Sequence, residues 1–243
     1  MYILDSVDVR TKALLLGKSM HYANSWLFAT PNTYSNSIIN PKAFQLLLKY
    51  HSAMPICVHD QRCLACGKKM DAMGDHMISC NVTGQRIGKH NSLVRQVGSY
   101  LEKGKMTHRT EVGVEKDRMG DLVILDFANG RDLYVDLSVV STLCASYRNM
   151  SSKEAGAAGF ARRNEKLRKY AEQVEKVAFE PLVVESIGGW NIEGKKLLKK
   201  IAARVALENF LEEKTLLRDM MTLFSICLQK INAQMMLERI CIF

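Results

Sequence analysis

Apolar residues recur at helical spacing downstream of Gly84. Ile87, Leu93, Val94, Val97 and Leu101 share one side of a segment that meets a glycine stop at Gly104. The period then changes to that of strands, over 108–114, 121–127 and 132–140. Asn129-Gly130 lies between the last two runs and predicts a tight hairpin, because both central positions of a type I′ turn require positive φ. Further on, the pattern predicts a long helix over 153–178, a strand over 180–186 closed by Ile-Gly-Gly, and helices over 192–211 and 214–237. Upstream, Asn40-Pro41 supplies an N-cap and a first-turn proline for a helix ending near His51, with Phe44, Leu47 and Leu48 on one side. Trp26 and Phe28 are expected to pack that region onto the rest. The order helix, three strands, helix, strand implies an α/β fold with the hairpin strands central.

With 243 residues and 47% hydrophobic content, the chain can bury a substantial core. No apolar run approaches the ~18 residues of a membrane span, so no membrane association is expected. The opening Met1-Tyr-Ile-Leu-Asp5 carries an acidic residue early and lacks a secretory pattern, which points to a cytosolic or nuclear location. In that setting the cysteines read as thiols or metal ligands, not as a disulfide framework. Cys144, Cys227 and Cys241 sit among apolar neighbours and are expected to be buried. The net charge of +9 favours an anionic partner, most commonly a phosphate backbone, although solubility alone accounts for many such surfaces.

Cys63, Cys66, His76 and Cys80 form the pattern C-x2-C-x9-H-x3-C. Three thiolates and one imidazole suit zinc, the paired cysteines suit a tight knuckle, and the His-x3-Cys pair suits one helical turn. Four protein ligands leave no open coordination position, so this metal is expected to organise structure and perform no chemistry. Cys57 and His59 lie just upstream as bystanders, with Cys57 a substitute ligand in reserve. Lys68, Arg86, Lys89 and His90 flank the knuckle and are the expected nucleic-acid contacts.

Two aspartates mark the hairpin. Asp121 begins one strand and Asp136 interrupts the apolar run of its partner, where an unmatched charge would be costly. A turn at Asn129-Gly130 places Asp136 opposite Val123, two residues from Asp121, so twist or a bulge would have to bring both carboxylates to one metal. Such a pair can hold Mg²⁺ beside a phosphate. Asp126 and Asp132 flank the turn and read as turn residues. On the following helix Lys166 and Tyr170 stand at i, i+4 with Lys169 between them, a face that also reads as ordinary solvated charge.

These residues, taken together, resemble a known family. The element order is similar to the αβββαβ core of PD-(D/E)xK, or restriction-like, nucleases. The combination with an upstream CCHC knuckle resembles the C-terminal region of non-LTR retrotransposon proteins that carry a restriction-like endonuclease. The segments that carry the likeness are Gly74-Asp-His76-Met-Ile-Ser-Cys80, Gly88-Lys-His90-Asn91, Gly120-Asp121-Leu-Val, Val135-Asp136-Leu-Ser-Val-Val140, Lys169-Tyr170 and Glu180-Pro-Leu-Val-Val-Glu-Ser186. The resemblance implies that Asp121 and Asp136 are the two motif carboxylates, with Glu111 a third. It places the motif lysine at position 138, which is Ser138 here, so Lys166, or Lys169, becomes the substitute. Gly120 stands where the motif has proline.

The division implied is 1–56 as an N-terminal helical region, 57–84 as the zinc knuckle, 85–190 as the nuclease-like core and 191–243 as C-terminal helices. The resulting expectation is a nuclear, metal-dependent DNA endonuclease of mobile-element origin, with structural zinc and catalytic magnesium or manganese. Its DNA partners would include branched or mobile-element target DNA, and a homodimer is compatible with the reading. The alternative is a catalytically inactive nucleic-acid-binding module that keeps the fold. No Tyr-x-Asp-Asp reverse-transcriptase motif occurs in the chain.

Overall fold

The computed structural model describes residues 6–34, 37–57, 61–80, 82, 84–110, 120–174 and 177–239, without the side chains of Gln85, Arg86, Gln173 and Val174. Glu111, His59 and Cys241 therefore lie outside the described residues, as does the side chain of Arg86. The helices are α1 (Val9–Ser19), α2 (Pro41–His51), α3 (Asp75–Ser79), α4 (Gln85–Lys103), α5 (Arg148–Ser151), α6 (Ala157–Lys169), α7 (Ala171–Val174), α8 (Ile192–Asn209) and α9 (Glu213–Leu237). The strands are β1 (His108–Thr110), β2 (Leu122–Ala128), β3 (Arg131–Val140) and β4 (Ala178–Glu185). A short 3₁₀ turn covers Ser25–Phe28. The fold is mixed α/β, and none of the described helices is long and apolar enough to cross a membrane.

The sheet runs β1-β2-β3-β4. The first three strands are antiparallel, and β4 lies parallel to β3. A parallel partner needs a crossover, which α5, α6 and α7 supply. Alternation along the strands then sorts the two faces. Leu122, Ile124, Leu133, Val135, Leu137, Leu182 and Val184 pack against α4, α8 and α9 in the main core. Val140 and Val183 point the other way and meet Ala158 of α6.

Local chemistry accounts for the elements. Asn40 caps α2 by accepting from the Lys42 amide at 3.0 Å, with Pro41 in the first turn. Asn129 and Gly130 have φ of 54° and 74°, as the hairpin turn requires. The hairpin starts with Ala128 opposite Arg131, but an irregularity between Ile124 and Ala128 shifts the register, so that Val123 faces Tyr134 and Leu122 faces Val135. Asp126 lies in this bulge with φ 48°, its amide donating to Asp132 Oδ1 at 3.0 Å. The pairing expected from the turn alone, Asp136 opposite Val123, is therefore corrected by two residues, and Asp121 moves up to the level of Asp136.

The long helix expected over 153–178 is broken. Gly156, in left-handed conformation with φ 83°, starts α6, and the helix stops at Tyr170 before the short α7. Two packing expectations also change. Phe28 is exposed while Trp26 is buried, and α2 buries Ala43, Leu47, Tyr50 and His51 while Phe44 and Leu48 face outward. Cys144 and Cys227, expected to be buried, are only partly so.

A second apolar cluster lies away from the sheet and joins Leu14 of α1, Tyr50 of α2 and Met236 of α9 to Cys63, Met70, Met77, Ile78 and Cys80. A third joins Trp26, Ala43 and Leu47 to Ile226 and Ala233 of α9. Helix α9 thus contributes to the main core and to both of these clusters. Its polar residues Gln229 and Asn232 are buried and donate to Ile187 O at 3.2 Å and Ser186 O at 2.9 Å, fixing the turn after β4.

His51 adds a pH dependence. Burial pushes its pKa from 6.5 down to about 4, outweighing the lift from Gln229. The folded chain therefore keeps this imidazole neutral, and the unfolded chain protonates first as pH falls below 6.5. Stability should rise with pH between about 4 and 6.5, and His51 should account for on the order of 3 kcal/mol of that rise. Urea unfolding of His51→Gln at pH 7 and pH 4.5 should show a smaller acid loss than the natural chain. An identical acid loss in the two proteins would remove His51 as the cause.

Candidate metal centre and acidic cleft

Cys63, Cys66, His76 and Cys80 converge, with their ligand atoms all within 4.8 Å of one another. Cys63 Sγ and Cys80 Sγ are 3.9 Å apart, and Cys66 Sγ lies 3.2 Å from His76 Nε2. Tetrahedral zinc with Zn–S bonds of ~2.3 Å would separate two sulfurs by ~3.8 Å. The donor set and spacing can hold a metal ion such as zinc.

The local chain explains the convergence. The Cys63 amide donates to Lys68 O and the Gly67 amide to Cys63 O, closing a knuckle across a single bridge between Arg62 and Lys69. Asp71 accepts from the amides of Asp75 and His76 at 2.9 and 2.7 Å, which caps the short α3 and aims His76. The Cys80 amide donates to His76 O at 2.8 Å, one turn later. Cys57 stays outside the four. It packs in the second apolar cluster, and burial raises its thiol pKa.

Asp75, beside His76, anchors this module. Arg10 of α1 holds it through Nη2–Oδ1 at 2.7 Å and Nε–Oδ2 at 2.8 Å, and Arg148 adds a contact at 3.3 Å. The carboxylate is buried, so two guanidinium groups are needed to offset its desolvation. Sequence patterns gave no sign of this pair, because its partners are far apart in the chain.

The module forms one wall of a cleft of about 1050 Å³. Lys68, His90, Asp121, Asp136, Arg162 and Lys166 all line it. Asp121 is positioned by the backbone. Its amide donates to Val135 O at 2.8 Å, and its Oδ2 accepts from the Leu137 amide at 2.7 Å. A Cβ at Gly120 would lie 2.9 Å from Val135 O, so glycine is what permits this close approach of the two strands.

Asp136 is 9% exposed, and Lys166 Nζ reaches its two oxygens at 2.8 and 3.0 Å. Burial raises the Asp136 carboxyl pKa, Lys166 pulls the other way, and Asp121 adds to the rise. Ser138, where the resemblance puts a lysine, is buried and directs its hydroxyl at Asp136 Oδ2 over 3.4 Å. Lys169 instead contacts the Tyr170 hydroxyl at 3.0 Å and covers its ring, and Tyr170 packs edge-on against Phe179.

The flanking basic residues separate into different roles. Lys68 is exposed on the knuckle rim. His90 turns into the cleft, with Nε2 at 2.9 Å from Asp121 Oδ2 and Nδ1 at 3.0 Å from Asn91 Oδ1. Burial would lower its pKa, but the contacts to Asp121 and Asn91 outweigh this and raise it. Lys89 is corrected. Its side chain is buried and its ammonium donates to Asn232 Oδ1 inside the protein, which is not the setting of a surface phosphate contact.

One buried carboxylate escaped the sequence reading. Glu185, at the end of β4, accepts from the Gly159 amide at 2.9 Å and the Thr142 hydroxyl at 3.1 Å, and burial raises its pKa. An acidic residue closing the apolar run Leu182-Val183-Val184 was the available signal. Comparison with protein families and with curated proteins finds no match for this chain.

Zinc-loaded protein should contain one equivalent of metal, and Cys80→Ser should lower that content and the thermal midpoint together. Arg10→Ala should cost about 3 kcal/mol, since it strips a buried carboxylate of its main partner. Metal analysis with chemical denaturation checks both. A Cys80→Ser protein that keeps full zinc and stability would dismiss the centre.

Proposed function

We propose that this chain is a metal-dependent DNA endonuclease of mobile-element origin, built on a restriction-endonuclease-like αβββαβ core. The pairing of Lys166 with Asp136, beside Asp121 in a cleft walled by the knuckle, carries the reading. The order α4, β1, β2, β3, α6, β4 supports the core assignment.

Asp121 and Asp136 have the donor chemistry to hold a hard divalent cation, Mg²⁺ or Mn²⁺. Bound there, such an ion would polarise a phosphodiester and lower the pKa of an attacking water. Lys166 supplies a fixed positive charge next to Asp136, on the side where a scissile phosphate would gather negative charge. Its position on the helix after β3 replaces the lysine that Ser138 does not provide. His90 orients Asp121 through the 2.9 Å contact. Lys68 and Arg162 stand at the cleft wall and would engage the phosphate backbone, so binding should weaken as salt rises. The substrate is DNA, branched or mobile-element target DNA included, encountered in the nucleus.

A second reading has its own observation. Each carboxylate already faces a basic side chain, Asp121 with His90 and Asp136 with Lys166. Charges so matched also suit a binding module that keeps the fold without cleavage.

Supercoiled and branched DNA incubated with zinc-loaded protein and Mg²⁺ or Mn²⁺ separates the two. Cleavage should appear, vanish with EDTA, and fall by roughly 100-fold or more in Asp136→Ala and in Lys166→Ala. Tight, salt-sensitive binding with no cut product under either ion would replace the endonuclease with the binding module.

A further inference from the structure

We propose that Glu185 is a positioning residue that sets the height of α6 on the sheet and so delivers Lys166 to Asp136. The inference rests on the endonuclease reading for the importance of Lys166, while its geometry stands independently. The first turn of α6 is Gly156-Ala157-Ala158-Gly159, and Gly156 makes no side-chain cap. The first amides of a helix have no partner within it. Glu185 fills that need from another strand. One oxygen accepts from the Gly159 amide at 2.9 Å, and the other accepts from the Thr142 hydroxyl at 3.1 Å. The Ala158 amide also acts on this carboxylate. A negative group at this end is favoured by the helix dipole as well.

The spacing links this cap to the cleft. Glu185 pairs with Val140 in the parallel register, and Asp136 lies four residues earlier on β3, about 13 Å away at ~3.3 Å per residue. Gly159 to Lys166 is seven helical residues, about 10 Å along the axis and nearly two full turns. Both therefore lie on the sheet-facing side of α6, and the four-carbon stem of the lysine spans the remaining distance. A helix released at Gly159 can slide or tilt along β3 and β4, and the ammonium then loses its fixed place between the carboxylate oxygens. Glycine at 159 is not forced by space, because an added Cβ would meet Glu185 Oε1 at an ordinary 3.5 Å.

Amine-reactive acetylation read by mass spectrometry on zinc-loaded full chain tests the proposal without relying on cleavage. In Glu185→Ala the labelling of Lys166 should rise about threefold or more, while Lys169 and the buried Lys89 stay as in the natural chain. Glu185→Gln should restore low Lys166 labelling, because its amide oxygen still accepts from Gly159 and its amide nitrogen can face the Thr142 hydroxyl. Glu185→Met keeps the length of the side chain but offers no oxygen to the Gly159 amide. It should reproduce the Glu185→Ala result and serves if that variant fails to fold. In the cleavage assay Glu185→Ala should lower turnover with DNA affinity unchanged. Unchanged Lys166 labelling in a folded variant, a parallel rise at Lys89, or no rescue by glutamine would each overturn the proposal. A Lys166 response in a chain that cuts no DNA would leave the positioning intact and end the endonuclease reading instead.

Discussion

Asp136 sits mid-strand, buried on the sheet face that α6 covers, and Lys166 meets both of its oxygens. A carboxylate in such surroundings is tolerated only with a partner, and a lone ammonium beside it would be equally costly. That requirement places α6. The helix brings Lys166 level with Asp136, and at its start the Gly159 amide meets Glu185. The hairpin bulge belongs to the same constraint. Without the shift at Asp126, Asp121 would stand two residues away from Asp136, and His90 would face a different strand position.

Much of this was legible in the chain, wherever the signal was local. The knuckle ligands, the Asn129-Gly130 turn and the helix that became α4 follow from spacing within a few residues, and Asp136 stands out as a charge inside an apolar run, whereas Lys166 came forward, with Lys169 beside it, only through the resemblance to restriction-like nucleases. The register was not legible, because a bulge depends on a positive φ at Asp126 and on the Asp132 side chain, neither of which turn chemistry specifies. Lys89 looked like surface charge because its partner, Asn232, lies on a helix far along the sequence. Glu185 could have been found by the argument that singled out Asp136. It stands at the end of its strand, where an acidic residue carries less signal than one inside an apolar run.

The arrangement also sets the Cys/His cluster that could hold a metal against the cleft. Ile78 and Ser79 on α3 and Lys68 on the knuckle line the cavity that holds the two aspartates. The same module is held from behind by Arg10 and by the apolar residues of α1 and α2. The N-terminal helices therefore brace the wall of the cleft more than they brace the sheet.

Helix α9 gives the chain a particular order of assembly. It supplies Phe224 and Leu228 to the core under the sheet, Met236 to the cluster behind the knuckle, and Ile226 to the cluster around Trp26. All these partners precede it in the sequence. On the ribosome, the strands and the knuckle emerge with their apolar faces uncovered and wait for a segment made much later. Folding of this kind is rich in long-range contacts and correspondingly slow, and the waiting surfaces are open to self-association or to capture by chaperones.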